Sequence, residues 1–139
     1  MTDNLIKAHK LMLNNNYTCV LVSNENCLIS NKRGVKPLLE FLDTKEKFEN
    51  FSAADRVIGK GAAFLYLLLK IKEIYAQVIS ESALELLKSN GVTVYYGEVV
   101  GRIQNRQKNG FCPIETAVLN VCNENEALNV IKETLKKIK

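Results

Sequence analysis

Apolar positions along the chain follow two spacings, helical and alternating, and their succession predicts the order of elements. From Thr2 or Asp3 as a cap, Leu5, Ile6, Met12 and Leu13 recur at helical spacing until Asn14–Asn16 ends the run. Tyr17–Ser23 is rich in β-branched residues and reads as a strand. The turn residues Asn24, Glu25 and Asn26 then send the chain back along Cys27–Ser30, making a hairpin. A polar loop, Asn31-Lys32-Arg33-Gly34, leads to a second helix over Val35–Leu42, with Pro37 tolerated in its first turn. Asp43–Asn50 is a polar connector.

The longest helical signal is FSAADRVIGKGAAFLYLLLKIK, Phe51–Lys72, read as one central helix. Ser52 with Asp55 three residues later has the form of a capping box. The nearly unbroken apolar run from Phe64 to Leu69 requires burial on most faces. Gly59 and Gly61 would each cost about 1 kcal/mol relative to alanine inside a helix. Close approach of another backbone, or of a ligand, is therefore expected there.

Beyond it, Ile74–Ile79 reads as a strand, and Ser80-Glu81-Ser82 caps a helix over Ala83–Ser89 that Asn90-Gly91 closes. Val92–Tyr96 is the next strand. Gly97–Gly110 is the least regular stretch. Cys112 then stands as the cap of a helix opened by Pro113 and running to about Leu119, with Glu115 three residues after the cap. Asn123 and Glu126 form a second capping box for the closing helix, which carries Leu128, Val130, Ile131, Leu135 and Ile138 as a stripe. Strands alternating with helices predict one α/β domain over residues 1–139, a parallel section joined to the hairpin.

Composition narrows the class. Hydrophobic content of 47% with 24% charged residues is that of a soluble globular domain. The net charge of +4 is spread thinly, densest at Lys132, Lys136, Lys137 and Lys139, where cations complement a helix C-terminus. A nucleic-acid partner is disfavoured on that ground. No stretch reaches the ~20 apolar residues of a membrane span, and the N-terminus does not have the form of a signal peptide. The expected compartment is the cytoplasm, and no membrane association is expected. The four cysteines, Cys19, Cys27, Cys112 and Cys122, include no C-x-x-C pair, and His9 is the sole histidine. They read as free thiols, mostly packing residues, with no metal or other cofactor expected.

Two places can carry chemistry. A thiol at a helix N-terminus, as Cys112 is read, gains thiolate character from the positive helix end, and Arg102, Arg106 and Lys108 precede it. Glu115 can serve as its proton carrier or only satisfy amides as a cap, and the sole histidine able to pair with Cys112 is His9. A buried or capping Cys112 is the competing reading. Asp55, Arg56 and Lys60 cluster at the start of the central helix. They are either a cap with a solvated edge or the place where Lys60 and neighbouring amides receive an anion. The Gly59-Lys60-Gly61 pattern, placed within a helix signal, is not a dinucleotide fingerprint.

FSAADRVIGKGAAFLYLLL, the segment Val78-Ile79-Ser80-Glu81-Ser82-Ala83-Leu84, and Asn105-Arg106 with Gly110-Phe111-Cys112-Pro113-Ile114-Glu115 together resemble a small uncharacterised prokaryotic family with a cytidine-deaminase-like fold. The resemblance spans roughly residues 5–135. It implies a three-layer α/β/α sandwich with a mixed sheet, the hairpin supplying the first two strands. Asp55–Leu69 would be the helix that in active deaminases carries the first zinc ligand and the catalytic glutamate. Zinc deaminases need a His/Cys-x-Glu segment and a later Pro-Cys-x-x-Cys. Here Ser52, Ala53, Ala54 and Asp55 stand at the first place, Ser80, Glu81 and Ser82 at the second, and Cys112-Pro113 has the order reversed.

The expectation is therefore a member of that fold without zinc chemistry. It binds a small anionic, nucleotide-like ligand at helix N-termini through Ser52, Asp55, Lys60, Ser80, Glu81, Asn105 and Arg106. One alternative is a cysteine-dependent enzyme with Cys112 as nucleophile and Glu115 or Asp55 as proton carrier. Another is a homo-oligomeric interaction module without a ligand.

Overall fold

A computed structural model describes residues 1–44, 46–104, 110 and 112–138. The elements run α1 (Asp3–Asn15), β1 (Cys19–Val22), β2 (Cys27–Ser30), α2 (Lys36–Asp43), β3 (Ser52–Ile58), α3 (Lys60–Leu69), β4 (Glu73–Ser80), α4 (Glu81–Ser89), β5 (Thr93–Val100), α5 (Pro113–Ala117) and α6 (Glu124–Ile138). The strands form a five-stranded mixed sheet of order β2-β1-β3-β4-β5. β1 is antiparallel to both neighbours, while β3, β4 and β5 are parallel. No helix among the described residues is long and apolar enough to cross a membrane.

Side chains on successive strand residues point to opposite faces, so the sheet has two differently used sides. On one, Val20, Val22 and Ala54 meet Ala8 and Met12 of α1. On the other, Cys19, Leu21 and Ala53 join the larger core with α2, α3, α4, α5 and α6. α3 is buried almost all round, as its composition requires: Gly61 through Tyr66 and Leu69 are all buried. It lies on β3 and is flanked by α2, α4 and α6.

Several local signals act as the sequence reading expects. The Thr2 side chain accepts from the Leu5 amide at 3.3 Å, Ser80 from the Ala83 amide at 3.2 Å, and Asn123 from the Glu126 amide at 2.8 Å. Gly91, past the end of α4, takes the left-handed conformation at φ +80°. The polar connector before β3 is held down by Phe48, which is buried and packs at tilted angles between Phe41 and Phe51, at centroid distances of 5.8 and 5.2 Å.

One prediction fails at the centre. Phe51–Lys72 is not one helix. Its first part is the central strand β3, hydrogen-bonded to β1 on one side and β4 on the other, and the helix begins only at Lys60. Ser52 and Asp55 are strand residues, so no capping box forms. Alanine favours helix locally, but pairing with β1 and β4 fixes these residues as a strand, and Ala53 and Ala54 are buried on its opposite faces. A smaller correction concerns β5, which runs on past Tyr96 to Val100. Gly97 does not break it. A Cβ there would stand 2.9 Å from the Gln77 carbonyl oxygen, so glycine admits the close approach of β4.

Candidate functional site

The turn from β3 to α3 shapes the site. Gly59 is the cap residue of α3 and has no side chain to satisfy the first amides. Glu115, from α5, does it instead: Oε1 accepts from the Lys60 amide at 2.9 Å and Oε2 from the Gly61 amide at 3.1 Å. A Cβ at Gly59 would lie 2.4 Å from the Glu115 carboxyl carbon, and one at Gly61 would lie 2.6 Å from Ile114 Cγ2. The close approach expected at these glycines is thus made by Glu115 and Ile114 of the same chain. Lys60 turns its ammonium to the Leu119 carbonyl at 2.9 Å, beyond the end of α5. The Gly59-Lys60-Gly61 pattern does sit in a strand-to-helix turn, contrary to the sequence reading. The residue three past Gly61 is Phe64, however, which still departs from a dinucleotide fingerprint.

Next to this latch lies a cavity of ≈ 260 Å³. Its walls are largely apolar, from Val35, Pro37, Val57, Ala62, Ile103 and Ile114, and its polar groups include Asp55, Cys19, Thr18, Cys112, Glu115 and Arg33. The three residues put forward for catalysis, Cys112, Glu115 and Asp55, therefore line one space although they come from two distant parts of the chain. Cys112 is half-buried, and its amide donates to the Ile103 carbonyl at 3.0 Å, which fixes the start of α5.

Asp55 is the chemically unusual member. It is 6% exposed and points to the α3 side of the sheet, opposite Cys19 on β1. The Tyr66 hydroxyl donates to Oδ2 at 2.6 Å, the Val57 amide to Oδ1 at 3.3 Å, and Cys19 Sγ lies 3.4 Å from the Tyr66 oxygen. Burial penalises the charged carboxylate more than the hydrogen bonds from Tyr66, Val57 and Arg56 favour it, so its pKa is pushed up to about 7. Burial first, and the Asp55 charge second, push the Cys19 thiol and the Tyr66 hydroxyl well above their ordinary values.

The remaining predicted residues scatter. Ser52 lies at the far end of β3, roughly 20 Å along the strand from Ile58 at about 3.3 Å per residue. There its hydroxyl donates to Glu73 at 3.1 Å, and Thr2 donates to the same carboxylate from both its hydroxyl and its amide. Partial burial raises the Glu73 pKa, but these hydrogen bonds outweigh it and hold the carboxyl below its usual range. Ser80 is fully buried as the α4 cap. Lys60 and Glu81 face a second cavity of ≈ 320 Å³ with Ser82, Glu85, Arg102 and Glu115. Asn105 and Arg106 lie outside the described residues.

His9 is on α1, against the other face of the sheet, its ring 3.8 Å from that of Tyr75. Burial, then Arg56, lowers its pKa, and a dyad with Cys112 is excluded by position. Of the cysteines only Cys19 is fully buried. Cys27 and Cys122 are exposed, so the packing role expected of most of them holds for Cys19. The sequence reading does not bring out Tyr66 and Cys19 as site residues. The available signal was the phenol itself, since a buried Tyr hydroxyl needs a partner. Among the described residues no three His, Cys, Asp or Glu side chains stand together as a metal set.

Comparison with known proteins places this architecture. No curated protein matches the chain. A crystal structure at 2.70 Å resolution of a DUF1893 family protein, TM1506, from Thermotoga maritima superposes with a TM-score of 0.86 at 27% identity, covering 99% of this chain and 92% of that one. The family model TM1506, a domain of unknown function (DUF1893), matches residues 7–135. The chain belongs to the DUF1893 family.

Proposed function

We propose that this chain is a small-molecule-binding domain of the cytidine-deaminase-like type, with its ligand in the cavity at Asp55. The fold reading is supported by an antiparallel hairpin followed by the parallel β3-α3-β4-α4-β5 unit in one mixed sheet. One observation carries the site reading. A cavity of ≈ 260 Å³ with apolar walls gathers Asp55, Cys112 and Glu115 next to a strand-to-helix turn. Apolar concavity with few convergent polar groups, one of them with a perturbed pKa, is the usual composition of a ligand site.

Helix N-termini are the poorer place for the ligand. The amides of Lys60 and Gly61 already donate to Glu115, and the Ala83 amide to Ser80. An anionic group there would have to displace a partner the chain supplies itself. Zinc-dependent deamination is not part of the proposal, since α3 opens with Lys60, Gly61 and Ala62 and α4 with Glu81 and Ser82.

A cysteine-dependent enzyme is the second reading, favoured by the position of Cys112 in the cavity wall. Both Glu115 oxygens are engaged by amides and His9 is on the other face of the sheet, so Asp55 is the proton carrier left to it.

Titration of the 15N-labelled protein with a fragment library separates these readings from an empty structural cavity. Fragments are expected to shift the amides of Val57, Gly59, Ala62 and Ile114 together. A library without hits at millimolar concentration, or with hits only on other surfaces, would remove the ligand reading.

A further inference from the structure

We infer that the cavity takes a small organic cation, an amine or amidine on an apolar body, whose N–H groups donate to the Asp55 carboxylate. The inference rests on the reading of this cavity as a ligand site and adds the chemical class of the ligand.

A carboxylate removed from water is ordinarily paired with a cation, because its lost hydration is otherwise not recovered. Asp55 is 6% exposed, yet its hydrogen-bond donors are neutral: the Tyr66 hydroxyl and main-chain amides. Among the described residues the ion pairs are Lys32–Glu40 and Glu133–Lys136, neither of which involves it.

The neighbouring cation in sequence, Arg56, is committed elsewhere. Its guanidinium donates to the Tyr17 carbonyl at 2.9 Å, the Met12 carbonyl at 2.6 Å and the Gln77 side chain at 3.1 Å. Arg33 borders the cavity but is exposed, so solvent screens its charge. Among the described residues the cavity therefore presents a buried acid and apolar walls, with an exposed Arg33 and an already committed Arg56 at its border and no cation paired with Asp55. Glu115 is occupied by the Lys60 and Gly61 amides, which leaves Asp55 as the carboxylate a ligand would meet; an anionic group placed against it is repelled and a cationic one complements it. The volume suits a single ring with a short polar head, since a cavity of about 150 Å³ already accommodates benzene.

Protonation links to binding in a definite direction. With the cavity empty, burial holds the Asp55 pKa at about 7, so near neutrality a proton occupies about half the sites. A cationic ligand selects the ionised form and expels that proton. The other ionisable groups facing Asp55 are Cys19 of β1 and Tyr66 of α3, both pushed to higher pKa, with Cys112, Glu115, Arg33 and Arg56 around the cavity.

The test uses the intact chain and three probes of matched size: benzamidine, benzyl alcohol and benzoate. Thermal unfolding and isothermal calorimetry are run from pH 5 to 9 in buffers of different ionisation enthalpy. Benzamidine is expected to bind tightest, with affinity falling about 100-fold from pH 9 to pH 5 for an acid of pKa about 7, and to release close to one proton at pH 6. Asp55→Asn should bring benzamidine down to the affinity of benzyl alcohol. Equal binding of benzyl alcohol and benzamidine, without proton release, would overturn the cation while leaving the cavity as a site. Preferential binding of benzoate would replace the class by an anion. No binding of any probe would remove both the class and the ligand reading beneath it.

Discussion

The Glu115 carboxylate accepts the Gly61 amide at 3.1 Å across a separation of 54 residues. A helix whose own cap position is a glycine is thereby capped from outside, by a side chain that also walls the cavity. The two glycines and the glutamate form one device: glycine removes the side chains that would occupy the carboxylate's place, and the carboxylate supplies the acceptors that glycine lacks.

That device predicts coupling. Gly59→Ala and Glu115→Ala should each destabilise the fold by about 1–3 kcal/mol, the first by expelling the carboxylate and the second by leaving buried amides unsatisfied. The double variant should cost clearly less than the sum, because the alanine methyl then has room. Chemical denaturation of the four proteins measures it. Additive costs would show that the two residues act independently.

Asp55 predicts a pH dependence of stability. Its folded pKa of about 7 lies above the ordinary value of 3.8, so the unfolded state ionises first as pH rises. Stability from this group is fully present below pH 4 and is lost as pH climbs through 7. The loss is on the order of 4 kcal/mol for a shift from 3.8 to about 7 at 1.36 kcal/mol per unit. Asp55→Asn should flatten that window, gaining on the wild type as pH passes from 5 to 8. Denaturation midpoints across the range decide it, and parallel profiles for the two proteins would refute the assignment.

Tyr66→Phe removes the hydroxyl that favours the ionised form. The Asp55 pKa should rise further, and stability above neutral pH should fall by about 1–3 kcal/mol as a buried carboxylate loses its donor. Carboxyl 13C shifts of Asp55 followed by NMR report the pKa directly. An unchanged titration would mean that Tyr66 does not hold this acid.

Much of the fold is legible locally. α1, α4 and α6 declare themselves through apolar spacing and through Thr2, Ser80 and Asn123, whose capping bonds span three residues. The β1–β2 hairpin follows from its turn residues. β3 is not legible in that way: Ala53, Ala54 and Asp55 form a strand because β1 and β4 pair with them from elsewhere in the chain. The site shows the same division. Asp55, Cys112 and Glu115 stand out one by one as ionisable or nucleophilic residues near expected helix starts. The cavity that gathers them and the Glu115 latch join distant parts of the chain. The Tyr66–Asp55 bond spans only 11 residues, but it needs the strand-to-helix turn that a helical reading of Phe51–Lys72 hides. Ser52 fails for the opposite reason: a local capping pattern is present, and strand pairing with β1 and β4 overrides it.

Alkylation of the native protein, read cysteine by cysteine with mass spectrometry, tests the central claim most directly. Cys27 and Cys122 are exposed and serve as internal references, Cys19 is buried, and Cys112 lines the cavity. With a cavity ligand present, Cys112 should be protected selectively, while Cys27 and Cys122 react at unchanged rates. If every ligand identified by binding leaves the Cys112 rate unaltered, or slows all three thiols alike, the cavity at Asp55 is not where this protein binds small molecules.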